Sequence, residues 1–91
     1  MSVQRKTVLF AGRVQGVGFR QTVVHLAHRH PLAGAIRNLP DGRVELIVEG
    51  SPASIDILLE DIRAHFRGYI TGARESVEPP TGMEPPVRIA W

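Results

Sequence analysis

Nine consecutive residues, Gly12 to Arg20 (G-R-V-Q-G-V-G-F-R), and an asparagine eighteen positions after Arg20, Asn38 in I-R-N-L-P-D-G, have the types and spacing to do chemistry. Gly16 and Gly18, two residues apart, let the backbone turn so tightly that consecutive N–H groups can face one anion. Arg20 closes that turn with a planar fork of donors suited to phosphate oxygens. The expected cradle uses the backbone N–H groups of Gln15, Gly16, Val17, Gly18, Phe19 and Arg20, at a helix N-terminus whose dipole attracts an anion. Asn38 is then the candidate to hold whatever attacks the phosphorus. On residue types alone, the glycines also suit, as the weaker reading, a plain strand-to-helix turn with Arg20 paired to a carboxylate. Asn38 equally suits the turn that follows it.

The familiar glycine motifs do not fit. A P-loop would end in Gly-Lys-Ser or Gly-Lys-Thr, and Gln21 stands where a dinucleotide fingerprint needs its third glycine. The chain has no cysteine, which excludes disulfides, zinc ribbons, iron–sulfur clusters and thiol nucleophiles. His25, His28 and His30 lie on or beside one helix, but no carboxylate or cysteine joins them, so no metal is expected. Ser51 and Ser54 read as helix-start residues rather than nucleophiles.

The elements that must position these groups follow from hydrophobic periodicity. Thr7 to Val14 alternates, with Val8, Phe10 and Val14 on one face and Leu9 and Ala11 on the other, an interior strand with both faces covered. From Phe19 the period becomes helical through Val23, Leu26, Ala27 and His30, and Pro31 ends the helix. Ala33 to Leu39 and Arg43 to Gly50 read as a hairpin around Pro40-Asp41-Gly42, with Asn38 on the face of Ile36 and Arg37 at the surface. Ser51 and Pro52 start a second helix with the stripe Ile55, Leu58, Leu59, Ile62 and Phe66. Gly68 to Val77 reads as a strand with Tyr69, Thr71, Ala73 and Val77 on one face. After four prolines, Val87, Ile89 and Trp91 make a short edge strand.

The order strand, helix, strand, strand, helix, strand, with a fifth short strand, predicts an α+β, ferredoxin-like βαββαβ sandwich. In it an antiparallel sheet carries both helices on one face, the economical way to bury two single-striped helices. At 91 residues the whole chain, 1–91, is expected to be one domain.

Composition excludes more than it names. Apolar residues at 43% and charged residues at 22% are those of a globular protein. Net charge is only +2, and the ten arginines among eleven basic residues are dispersed, so nucleic acid is not an expected partner. The RNA-recognition modules that share this element order carry stacking aromatics on a central strand, and Arg43 to Gly50 has none. No stretch approaches a signal or membrane-spanning length, so a cytoplasmic protein without membrane contact is expected.

V-Q-G-V-G-F-R at 14–20, with G-A-I-R-N-L-P-D-G-R-V-E at 34–45, resembles the acylphosphatase family. The resemblance is strong over the first half and carried by length and pattern over the second. It implies a five-stranded sheet backed by two helices, hydrolysis of acyl phosphates to a carboxylate and inorganic phosphate, no metal and no cofactor. The family's phosphate-loop arginine falls on Arg20 and its water-orienting asparagine on Asn38. A monomer acting on a small-molecule acyl phosphate is expected, the alternative being a non-catalytic phosphate-binding regulatory module of the same fold. Ala35 departs from the family, where tryptophan or tyrosine is common, and the small side chain is expected to leave core space for neighbours to fill.

Overall fold

The structure, a computed structural model, describes residues 2–90. Its elements are β1 (Gln4–Gly12), α1 (Phe19–Ala27), β2 (Ala33–Asn38), β3 (Val44–Gly50), α2 (Pro52–His65), β4 (Ile70–Glu78) and β5 (Val87–Ile89). They form one sheet in the order β4-β1-β3-β2-β5. β1 runs antiparallel to β3 and β4, and β2 antiparallel to β3, which is the expected ferredoxin-like arrangement. β5 runs parallel to β2, so the sheet is mixed rather than purely antiparallel.

The core lies between one sheet face and the helices. Val8, Phe10, Ile36, Val44, Leu46, Val48 and Val87 from the sheet meet Phe19, Val23 and Leu26 of α1 and Ile55, Leu58, Leu59 and Ile62 of α2, all buried. Phe19 sits with its ring centre 5.2 Å from Phe10, edge-on, and 4.7 Å from Phe66, which knits the start of α1 to β1 and to the end of α2. Ser51 caps α2 as its sequence suggests, its hydroxyl accepting from the Ser54 N–H at 3.2 Å.

Three expectations are corrected. Leu9 and Ala11 are only half-buried, because both helices lie on the other face and nothing covers theirs among the described residues. Ala35 shares that open face, half-buried, so its small side chain leaves no gap in the core. α1 stops at Ala27: the Arg29 and His30 N–H groups donate three residues back to Leu26 and Ala27, a tightened turn that Pro31 enforces by disfavouring helical backbone at His30. His30 is accordingly half-buried and off the core stripe. On β4, Thr71, Ala73 and Val77 are exposed, Val77 by 63%, because the strand is an edge that pairs with β1 alone. Trp91, expected on β5, lies outside the described residues.

The direction of β5 has a physical cause. Glu78 ends β4 beside Arg5, and Ala33 starts β2 beside Glu49, so both lie at the same end of the sheet. The segment 79–86 crosses that end, held by Glu49, and β5 must therefore start beside the start of β2 and run with it. Glu49 is a buried carboxylate, 4% exposed. Its Oε2 accepts from Arg5 Nη1 at 2.9 Å, the Thr81 hydroxyl at 2.7 Å and the Thr81 N–H at 3.0 Å. Its Oε1 accepts from the Gly82 and Met83 N–H groups at 3.0 and 3.2 Å. Burial would push the Glu49 carboxyl up, but these donors hold it down at about 2.

Candidate active site

The loop after β1 is anchored at both ends. Arg13 donates its N–H to the Tyr69 carbonyl at 2.8 Å and lays its guanidinium 4.6 Å from the Tyr69 ring centre, tying the end of β1 to the start of β4. Val14 and Phe19 are both buried in the core. Between these two pins residues 15–18 must arch outward.

The arch has the conformation an anion cradle needs. Gly16 and Gly18 have φ of +76° and +77°, while no non-glycine residue described has positive φ, so handedness alternates through Gly16-Val17-Gly18. Alternation of this kind turns successive N–H groups toward one side. A Cβ at Gly16 or Gly18 would meet nothing within 4 Å, so glycine is demanded by backbone angle and the space in front of the loop stays open. Gly18 is also the N-cap of α1, where no side chain caps the first-turn N–H groups. They and the helix dipole face the same side as the loop.

Arg20 is the second residue of α1, and Asn38 the last of β2. Both line one cleft of about 300 Å³, together with Val14, Gly16, Gly18, Phe19, Gln21 and Ile89. The separation in sequence closes because β2 lies two strands from β1 in the same sheet, with the ends of both strands at one edge of the layer. Among the described lining residues there is no carboxylate or imidazole side chain. These residues can bind an anion, spread its charge and orient a polar molecule, and none of them is an ordinary acid–base group for proton transfer.

Gln15 and Val17, expected in the cradle, belong to the loop without lining the cleft. Val17 is 37% exposed. The Gln15 side chain turns toward the hairpin: Nε2 donates to the Leu39 carbonyl at 2.9 Å and to the Arg43 carbonyl at 3.0 Å. Those carbonyls also accept from the Gly42 and Leu39 N–H groups, at 3.1 and 2.8 Å, which close the turn itself. Asp41 braces the turn further, accepting from the Arg43 N–H at 3.0 Å and Arg43 Nε at 2.8 Å. The Arg43 N–H chiefly lowers the Asp41 carboxyl below its ordinary range.

Ile89 and Gln21 are cleft residues that the motif does not reveal. Alternation places Ile89 on a strand face, but only the parallel pairing of β5 with β2, Ile89 beside Ile36, carries it to the Asn38 end. The imidazoles stand elsewhere. His28 Nε2 lies 3.3 Å from the Val87 carbonyl, and His25 lines a groove between the helices with Arg29, Asp61 and His65. Arg37 is at the surface as expected, paired with Glu45 at 2.9 Å.

Comparison with known proteins decides the family. The sequence model of the acylphosphatase family matches residues 6–82. The chain belongs to that family. An acylphosphatase of Methylococcus capsulatus is 53% identical over 57 residues, 63% of this chain and 62% of that protein. One of Synechococcus sp. is 42% identical over 80 residues, 87% of this chain and 85% of that protein. The crystal structure of the acylphosphatase from Bacillus subtilis matches with a TM-score of 0.88 at 30% identity, covering 97% of this chain and 99% of that one. Hydrolysis of acyl phosphates is the activity that this membership supports, and nothing in these likenesses favours a non-catalytic module of the same fold.

Proposed function

We propose that the chain, acting as one domain over residues 1–91, hydrolyses acyl phosphates to a carboxylate and inorganic phosphate, as a cytoplasmic monomer with neither metal nor cofactor. The observation that carries this reading is the single cleft shared by the glycine arch, Arg20 and Asn38. The N–H groups of residues 15–20 and the Arg20 guanidinium hold the phosphoryl oxygens and spread the charge of the transition state. Asn38 orients a water in line with the bond to be broken. A P–O bond forms to that water while the bond from phosphorus to the acyl oxygen breaks. The carboxylate leaves with the electron pair, and the water's protons stay with inorganic phosphate and solvent.

The chemistry explains why so sparse a site suffices. A carboxylate is a good leaving group and needs no general acid, so positioning and charge stabilisation carry the acceleration. Exposure of Asn38 suits a residue that must receive water.

Benzoyl phosphate hydrolysis in excess chelator tests the reading. Turnover by the wild type that is lost in both Arg20→Ala and Asn38→Ala, with folding intact, is the expected result. A folded wild type that binds phosphate without hydrolysing benzoyl phosphate overturns it in favour of a binding module.

A further inference from the structure

We propose that Gln15 is a positioning residue whose side chain sets the distance between the two halves of the site. This rests on the hydrolytic reading of the cleft. The phosphate-binding half and the water-holding half sit on different elements, the arch before α1 and the end of β2, and they are not hydrogen-bonded neighbours in the sheet. In-line attack tolerates little error in their separation: a displacement of about 1 Å can cost on the order of a hundredfold in rate.

Gln15 spans that gap with both hydrogens of one amide. Nε2 donates to the carbonyls of Leu39 and Arg43, 2.9 and 3.0 Å away, the first of which directly follows Asn38 and the second of which closes the same turn. Both partners are carbonyl oxygens, so only the amide nitrogen can face them, and one planar group fixes two points of the turn. Each carbonyl already has a backbone donor. The Gln15 contacts are therefore not needed to close the hairpin, and what they add is a connection between loop and turn. The backbone N–H of Gln15 can serve the cradle while its side chain measures off the position of Asn38.

The role separates from simple loop stability by which constant moves. Gln15→Met keeps length and bulk but has no donor, and in Gln15→Ser water can reach the two carbonyls. In both variants the N–H groups of residues 16–20 and Arg20 remain, so inhibition by inorganic phosphate should stay within about twofold of wild type while kcat falls about 10- to 100-fold. Melting temperature should change by no more than about 5 °C. Equal loss of phosphate affinity and kcat would mean that Gln15 merely holds the loop together, and unchanged kcat would also overturn the proposal. A second readout does not depend on turnover. In an NMR titration with inorganic phosphate, the wild type should show shifts at residues 16–20 and at Asn38, whereas Gln15→Met should keep the first and lose most of the second. An inactive wild type would overturn the hydrolytic reading, and an Asn38 response identical in wild type and Gln15→Met would overturn the coupling.

Discussion

A nest of donors closed on a carboxylate and a glycine arch that lines a cleft stand at opposite ends of this sheet. At one end the N–H groups of Thr81, Gly82 and Met83, the Thr81 hydroxyl and Arg5 converge on the carboxylate of Glu49. At the other, the arch at residues 15–18, the start of α1 and Arg20 face an open cleft. Each end brings an arginine beside a run of backbone N–H groups. The first supplies its own anion from the end of β3 and thereby becomes a structural clamp, holding the 79–86 crossing and fixing where β5 starts. Among the described residues that line the second there is no carboxylate side chain, and α1 starts without a side-chain cap.

Removing Arg20 is expected to give the largest effect. Arg20→Ala should lower kcat/KM for benzoyl phosphate by about a hundredfold or more, and Arg20→Lys should be nearly as damaging because a point charge cannot reproduce the guanidinium fork. Asn38→Ala should cost about a hundredfold in kcat while inhibition by inorganic phosphate is retained. Loss of phosphate inhibition in that variant would place Asn38 in the cradle instead.

Smaller effects test the clamp and the arch backbone. Glu49→Ala leaves Arg5 and three N–H groups without their acceptor and should destabilise folding by about 2 kcal/mol in urea, with kcat at 25 °C within about twofold of wild type. A loss of activity matching that of Arg20→Ala would break the division between clamp and site. Gly18→Ala, at φ +77°, should cost about 1–2 kcal/mol from backbone strain alone, since its Cβ meets no neighbour.

The pH dependence of stability follows from the filled nest. The Glu49 carboxyl is held at about 2 in the folded protein, below the ordinary glutamate value of about 4.3. As pH falls, the unfolded chain takes up the proton first and is favoured. The contribution is thus complete above about pH 5 and disappears progressively toward pH 2. Glu75 and Asp41, also lowered, act in the same direction. Urea midpoints measured between pH 7 and pH 2.5 should fall steeply for wild type and less steeply for Glu49→Gln.

Much of this architecture is legible in the residues. The helical stripes from Phe19 and Ile55, the Ser51-Pro52 start and the Pro40-Asp41-Gly42 turn act over a few residues, and each forms as its local chemistry requires. The glycine arch is legible for the same reason, because its glycines encode backbone angles directly. Alternation on β1 misleads because it records which side chains share a face, not whether anything covers that face, and on β4 it likewise leaves burial undecided. Leu9, Ala35 and Val77 show the limit: both helices pack on one side, and β4 lies at an edge.

The sequence by itself determined the elements, the open glycine arch, its arginine and the candidate asparagine, because those depend on backbone angle and side-chain type within short spans. The tertiary structure alone decided that Arg20 and Asn38 line one cleft, that Gln15 ties their elements together, that Ile89 arrives on a parallel strand and that Glu49 fills the other nest. Those outcomes require chain segments far apart in sequence to meet. Only packing two helices on one face of the sheet, and carrying 79–86 across its far end, brings them together.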